Sequence, residues 1–211
     1  MSRSLLILGS GGHGRVVADV ARASGYTTIA FLDDDPQSGV GNRAPFSVLG
    51  PMAMLEELVQ VWPAAMAAIG NNLKRLELFE RLRHAGYETP SVAHPSAVVS
   101  HSASMGAGVL VAPGAVINAG AHIFDAAIIN TGARIDHDCT IGVASHIAPG
   151  ATLSGNVSVG ARSWLGTGCS VRQGVKIGDD AVIGVGAAVV TDLPGDMVYV
   201  GVPARPLRYS R

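Results

Sequence analysis

The chain has 211 residues, 48% hydrophobic and 15% charged, with a formal charge of -1 at pH 7, which describes a globular protein of one or two domains without the basic footprint of a nucleic-acid binder. Mean hydropathy is +0.33, yet no apolar run approaches the ~18 residues of a membrane span, and Ala, Val and Gly carry the excess. The amino terminus passes from a short apolar run into glycines, unlike a secretory signal, so a cytoplasmic protein is expected.

In chain order, an apolar run at residues 5–8, a glycine turn, a helical pattern over 14–24 and a second run at 28–32 predict a βαβ opening. A helix over 52–61, a strand over 64–69, and a helix begun by Asn71 and Asn72 and stopped by Gly86 extend the alternation. Residues 1–90 are therefore expected to form a Rossmann-like α/β domain with a short parallel sheet. The segment 89–95, containing Pro90 and Pro95, is the expected junction, and 91–211 the second domain.

Between the first strand and its helix stands Gly9-Ser10-Gly11-Gly12-His13-Gly14, a GxGxxG in the right context, and Asp33 and Asp34 end the next strand about twenty residues later. Amides at a helix start hold a pyrophosphate, and an acidic pair accepts hydrogen bonds from a ribose or base edge. So short a domain supplies one mononucleotide-binding half, so a nucleotide sugar fits better than NAD. The plainer alternative is a glycine turn that only packs strand on helix. His13 is placed to meet a phosphate or sugar, or else is merely solvated. Gly70 and Asn71 end the third strand on the same sheet edge, where ligands of open α/β sheets gather; Asn as a helix cap is the alternative, and one helix terminus does both.

From residue 99 the period changes to six. Val99, Met105, Val111, Ile117, Ile123, Ile129, Ile135 and Ile141 begin one column, and Ile147, Leu153, Val159, Leu165, Val171, Ile177, Ile183 and Val189 complete it. Four residues after each lies a second small or modest side chain, and both positions are expected to point inward. A period of six fits neither an α-helix nor a two-sided strand, whereas three short strands per 18-residue turn make a triangular coil, an all-β left-handed parallel β-helix. Glycine or another small or polar residue recurs one and three positions after the aliphatic, suiting corners that need φ > 0 or close backbone approach. The same register sends Cys139 and Cys169 inward; they form no CxxC pair, and neither a metal site nor a disulfide is expected.

Among seven histidines, His84 and His94 read as structural or solvated, and His101 and His122 show no convincing partner. His137 differs, because Ile135-Asp136-His137-Asp138-Cys139 interrupts the Gly/Ala background with two carboxylates beside an imidazole, the equipment of a general base; an exposed polar cluster is the competing reading. His146 lies nine residues away, half a coil, so the two imidazoles are expected on separate sides of one chain. Several helices packed around a threefold axis would bring His146 of one subunit to His137 of the next.

The motifs GSGGHGRVVADVA, FLDD, AIGNN, HPSAVVS, IINTGARIDHDC, ASHIAPGATLSGNVSVG and VGVPAR, in that order, resemble the bacterial NeuD/PglD-type sugar acetyltransferases along essentially the whole chain. The resemblance implies transfer of acetyl from acetyl-CoA to the 4-amino group of a nucleotide-linked deoxy sugar, for glycan or O-antigen synthesis, by a homotrimer without a metal. It implies His137 as general base and Asp138 as the carboxylate that increases its basicity, with Asp in place of the Glu of some relatives. It implies acetyl-CoA contacts at His146, Gly155, Thr167 and Val185, the last bulkier than the glycine of some relatives, and nucleotide-sugar contacts at Gly11, Gly12, His13, Asp33 and Asp34. The Gly155 N–H is a candidate oxyanion donor, and Arg172, Lys176 and Arg205 are candidates for CoA phosphates by charge alone. UDP is expected over GDP from the FLDD form. Three alternatives stand beside this: O-acetylation of a sialic acid or other sugar hydroxyl, a metal-dependent hydratase on the same fold, for which the histidine spacing shows no ligand set, and a non-catalytic nucleotide-sugar sensor.

Overall fold

The first strand, β1 (Ser4–Leu8), is an unbroken apolar run because both faces of the parallel sheet are covered; Leu5, Leu6, Ile7 and Leu8 have no exposed surface. The computed structural model describes residues 3–35 and 46–207, so the outer limits of the two expected domains lie outside the described residues. After β1 come α1 (Gly12–Ala23), β2 (Thr28–Leu32), β3 (Ser47–Gly50), the short α2 (Leu55–Leu58), β4 (Ala65–Ala67) and α3 (Asn72–His84). The sheet order is β3-β2-β1-β4, all parallel.

Two expectations need correction here. The helix predicted over 52–61 is a 3-10 turn (Met52–Met54) followed by one α turn, since Val59, Val61 and Pro63 oppose its continuation. The edge strand β3, whose weak alternation of exposed and half-buried residues carries little signal, was not expected at all.

The second unit is a left-handed parallel β-helix. Val92–Ala93, Leu110–Val111, Ile128–Ile129, His146–Ile147, Trp164–Leu165 and Val182–Ile183 stack into face A; Val98–Val99 through Ala188–Val189 form face B, and Ser104–Met105 through Lys176–Ile177 form face C. Its first strand, Val92–Ala93, already lies inside the segment expected to be a junction. The two inward columns meet as one core from Val109 to Val189. Met105 departs from the column's expected burial, with 38% exposure, because no coil stacks beneath it at the open first turn.

The corners divide the small residues by cause. Every sixth residue from 108 to 186 has φ between 52° and 70°, whether glycine or one of Ala126, Asp138, Ala144, Asn156, Arg162 and Asp180. The glycines just after the aliphatic are instead a matter of space: a Cβ on Gly142 would lie 2.6 Å from the Ala161 nitrogen of the next coil.

Outward residues distinguish the three faces. On face A, Val92, Leu110 and Ile128 are 2%, 0% and 1% exposed and share a core with Val17, Val20 and Tyr26 of the first unit. The outward Val98 of face B is 61% exposed. The α/β unit therefore sits on face A, and the C–A corner, through Ala126 and Ala144, packs on Leu78, Phe79 and Leu82.

This separation of causes is measurable by denaturant unfolding. Gly168→Ala meets open space and is expected to cost about 1 kcal/mol for its left-handed backbone, whereas Gly142→Ala is expected to cost about 3 kcal/mol or more because two coils must part. Equal losses would show the division to be wrong.

Candidate functional site

The glycine loop is built by two close approaches. A Cβ on Gly14 would collide with the Gly9 carbonyl, and one on Gly9 would lie 2.6 Å from Ile69 Cδ1, so strand, loop and helix lock together. A Cβ on Gly11 meets nothing within 4 Å, and Gly12 only the tip of Arg15, so this side of the loop is open at the amino terminus of α1, whose Ncap residue, Gly11, brings no side chain. Asp33 is committed to the loop: its Oδ2 accepts from the Ser10 amide and hydroxyl, each at 2.7 Å. Asp34 is exposed and accepts from the Met52 amide at 2.9 Å. Asn71 caps α3 by accepting from the Lys74 amide at 2.9 Å, and with Gly70, Arg162 and Trp164 it lines a cavity of about 310 Å³.

His13 and His146 come together within one chain, with ring centroids 6.3 Å apart. His146 points outward from face A, beneath the first unit, and its Nε2 accepts from Asn130 Nδ2 at 3.0 Å. That assigns the proton to Nδ1, an enclosed atom without a partner among the described residues. Burial, with the nearby Arg75 charge second, holds His13 down at about 4 and His146 at about 3. Arg75 is 1% exposed and was not anticipated; it donates to the carbonyls of Ile69, Ala126 and Ala144 at 3.0, 2.8 and 2.6 Å and to Asn72 Oδ1 at 2.9 Å.

His137 occupies the B–C corner, the vertex opposite face A. Its Nδ1 donates to Asp138 Oδ2 at 2.8 Å, so the shorter Asp reaches the ring. This leaves the Nε2 lone pair facing Gly155 one coil on, where a Cβ would strike Nε2 and Cε1; Gly120, one coil back, makes the same room for the Asp138 carboxylate. The Asp138 hydrogen bond, followed by the charge of Asp136, raises His137 above the ordinary imidazole value. His137, Gly155, Asn156, Gln173 and Gly174 line a cavity of about 310 Å³. Corner amides at Ala107, Thr131, His137 and Ala161 are each taken by a side-chain oxygen; that of Gly155, like those of Ala119, Val143 and Gln173, finds no acceptor among the described residues, and of these four only Gly155 is buried.

The remaining candidates are dispersed. Thr167 and Val185 are exposed and stack on the A–B corner, across face B from Gly155. Arg172 shares the B–C corner with His137; Lys176 lies on face C and Arg205 on the carboxy-terminal strand Arg205–Pro206. His122 does have a partner, Ser104 Oγ at 2.6 Å, and a ring contact with Phe124. A larger cavity of about 580 Å³, beside Phe79, Arg83 and Asp125, contains none of the candidate residues. Among the described residues no three His, Cys, Asp or Glu side chains are grouped to hold a metal ion, and no helix is long and apolar enough to cross a membrane.

An α/β unit seated on a left-handed β-helix with an imidazole at one corner is the architecture of a hexapeptide-repeat acyltransferase. The family profile described as the PglD N-terminal domain matches residues 4–82. Over 97% of both chains, with a TM-score of 0.92 and 43% identity, the protein is similar to PerB from Caulobacter crescentus, solved with CoA and GDP-perosamine. The acetyltransferase domain of PglB from Neisseria gonorrhoeae FA1090, solved with acetyl coenzyme A, is 41% identical, with a TM-score of 0.93 over 98% of this chain and 100% of that one. UDP-N-acetylbacillosamine N-acetyltransferase of Bacillus subtilis (strain 168) is 38% identical over 112 residues, 52% of this chain and 51% of that protein, so the match spans about half the length of this curated relative. The chain belongs to the NeuD/PglD-type family of sugar acetyltransferases.

The half-buried histidine pair makes stability depend on pH. Both are held below the unfolded value of about 6.5, so below that pH the unfolded chain binds protons that the folded one excludes. Stability is therefore expected to be full above pH ~6.5 and to fall as pH drops toward ~4. In thermal melts His146→Gln should flatten that slope; an unchanged slope in both His13→Gln and His146→Gln would contradict the assignment.

Proposed function

We propose that the protein transfers the acetyl group of acetyl-CoA directly to the 4-amino group of a nucleotide-linked amino-deoxy sugar, for glycan or O-antigen synthesis, with His137 as general base. The observation that supports this reading is the geometry of one corner: His137 Nε2 stands over Gly155, a buried residue whose amide finds no acceptor among the described residues. As the amine attacks the thioester carbonyl, its proton passes to Nε2 while the Nδ1–H stays on Asp138. The Gly155 N–H steadies the oxyanion, which collapses as the C–S bond breaks, and the imidazolium returns its proton to the CoA thiolate. Both cysteines are fully buried, and burial pushes Cys169 up to about 12, so neither serves as an acyl carrier.

Relatives act on or bind both UDP- and GDP-linked sugars. The FLDD form favours UDP, with Gly11, Gly12, His13 and Asp34 toward the nucleotide sugar and Asp33 shaping the loop. Acetyl-transfer assays on a panel of UDP- and GDP-linked 4-amino sugars test this, with a sialic acid as the O-acetylation control. Turnover of a UDP-linked amine, lost about 10³-fold in His137→Ala with sugar binding retained, is the expected result. Turnover of the sialic acid alone, or wild-type rates in His137→Ala, would refute it.

Because His137 lies at the vertex opposite the face that carries the glycine loop, the two halves of the site come from different subunits, most simply in a homotrimer whose CoA contacts, His146, Gly155, Thr167 and Val185, are drawn from two neighbouring chains. Gly12→Glu places a negative charge at the open loop without opposing the helix dipole. Mixed trimers of His137→Ala and Gly12→Glu chains, each inactive alone, are expected to recover about one third of wild-type activity, since one site of the three keeps both intact halves. No recovery in trimers shown to be mixed would place both halves in one chain.

A further inference from the structure

Asp136 is a charged group for which the fold gives no need. Its Oδ1 accepts the backbone N–H of His137 at 2.8 Å and Nδ2 of Asn118, one coil earlier, at 3.0 Å. The first of these bonds is an architectural device of the corner, and the molecule performs it elsewhere without charge: Asn130 Oδ1 accepts the Thr131 N–H at 2.8 Å. An uncharged oxygen thus serves such a corner, and a carboxylate is not needed there. No Lys or Arg pairs with Asp136 among the described residues. The groups around the His137 ring are Asp138 on Nδ1, Asp136 on the preceding backbone position, and the uncharged Gly155, Asn156, Gln173 and Gly174. Arg172 holds the position of Asp136 two coils farther on, with Ser154 between.

We propose that Asp136, anchored by Asn118, is a positioning residue for His137: it fixes the backbone of the base and supplies a second negative charge that stabilises the imidazolium formed when the sugar amine gives up its proton. The inference rests on the reading of His137 as general base. Its direction agrees with the site's electrostatics. The Asp138 hydrogen bond and then the Asp136 charge raise His137, while the His137 N–H and Asn118 bonds hold Asp136 below the ordinary carboxylate range.

Asp136→Asn isolates the charge, because an amide oxygen keeps the acceptor as Asn130 shows. In this variant the acidic limb of the kcat/KM profile is expected to move down by roughly half a pH unit, with KM for acetyl-CoA unchanged. Imidazole NMR of His137, which needs no turnover, should show the same displacement. Asn118→Ala, which keeps the carboxylate but frees it, should shift both in the same direction by less. If Asp136→Asn folds poorly, Asp136→Ser provides the same test with a hydroxyl acceptor. An unmoved His137 titration in a folded charge-free variant, with turnover still abolished by His137→Ala, overturns the role of Asp136 alone. Wild-type turnover in His137→Ala overturns the base reading and this inference together.

Discussion

The arrangement of the molecule depends on a buried guanidinium that has no carboxylate partner among the described residues. In the β-helix, the carbonyls of the left-handed corner residues take no part in the coil-to-coil ladder, and Ala126, Ala144 and Arg162 present three of them in a line at the C–A corner. Arg75 takes the first two, Asn72 Nδ2 takes the third at 2.7 Å, and Arg75 also binds Asn72 Oδ1 and the Ile69 carbonyl. Burial lowers Arg75 only to about 10, so the charge persists near neutral pH, spread over carbonyl dipoles. A cation desolvated in this way is tolerable only while those acceptors stay in place, which ties the end of β4 to successive coils.

Two functional consequences follow from that tie. The loop Gly70-Asn71, on the carboxyl edge of the sheet, is held at a fixed height on the β-helix, which gives the nucleotide proposed to bind there a defined reach. Desolvation, with the Arg75 charge second, also keeps His13 and His146 neutral, which separates them from His137. That third imidazole has acidic neighbours and a raised pKa in an exposed corner. One chain thus carries neutral histidines where it packs and a basic one where chemistry is proposed.

Much of this was legible in the amino-acid sequence because hexads are a one-dimensional record of a three-sided coil: the inward columns, the corner positions and the isolated Asp-His-Asp cluster all follow from register. The docking face was written in the same register at a longer period. Val92, Leu110, Ile128, His146, Trp164 and Val182 recur every 18 residues at outward positions, and the three of them described as fully packed lie under the α/β unit. Counting by six hides that comb, and with it the position of His146 beneath the first unit. Arg75 was missed because α3 is rich in cations, yet Arg75, Leu78, Phe79 and Leu82 follow the spacing of a buried helix stripe, which marks this arginine as the inward one. Short elements governed by packing, β3 and α2, carry no such periodic record.

The central claim is that the glycine loop of one subunit and His137 of another complete a single site. A crystal structure of the protein with CoA and a UDP-linked 4-amino sugar tests it most directly. The account predicts the diphosphate against the Gly11 and Gly12 amides of one chain and the sugar amine about 3 Å from His137 Nε2 of its neighbour. A bound sugar whose amine lies remote from every His137 in the assembly would contradict it.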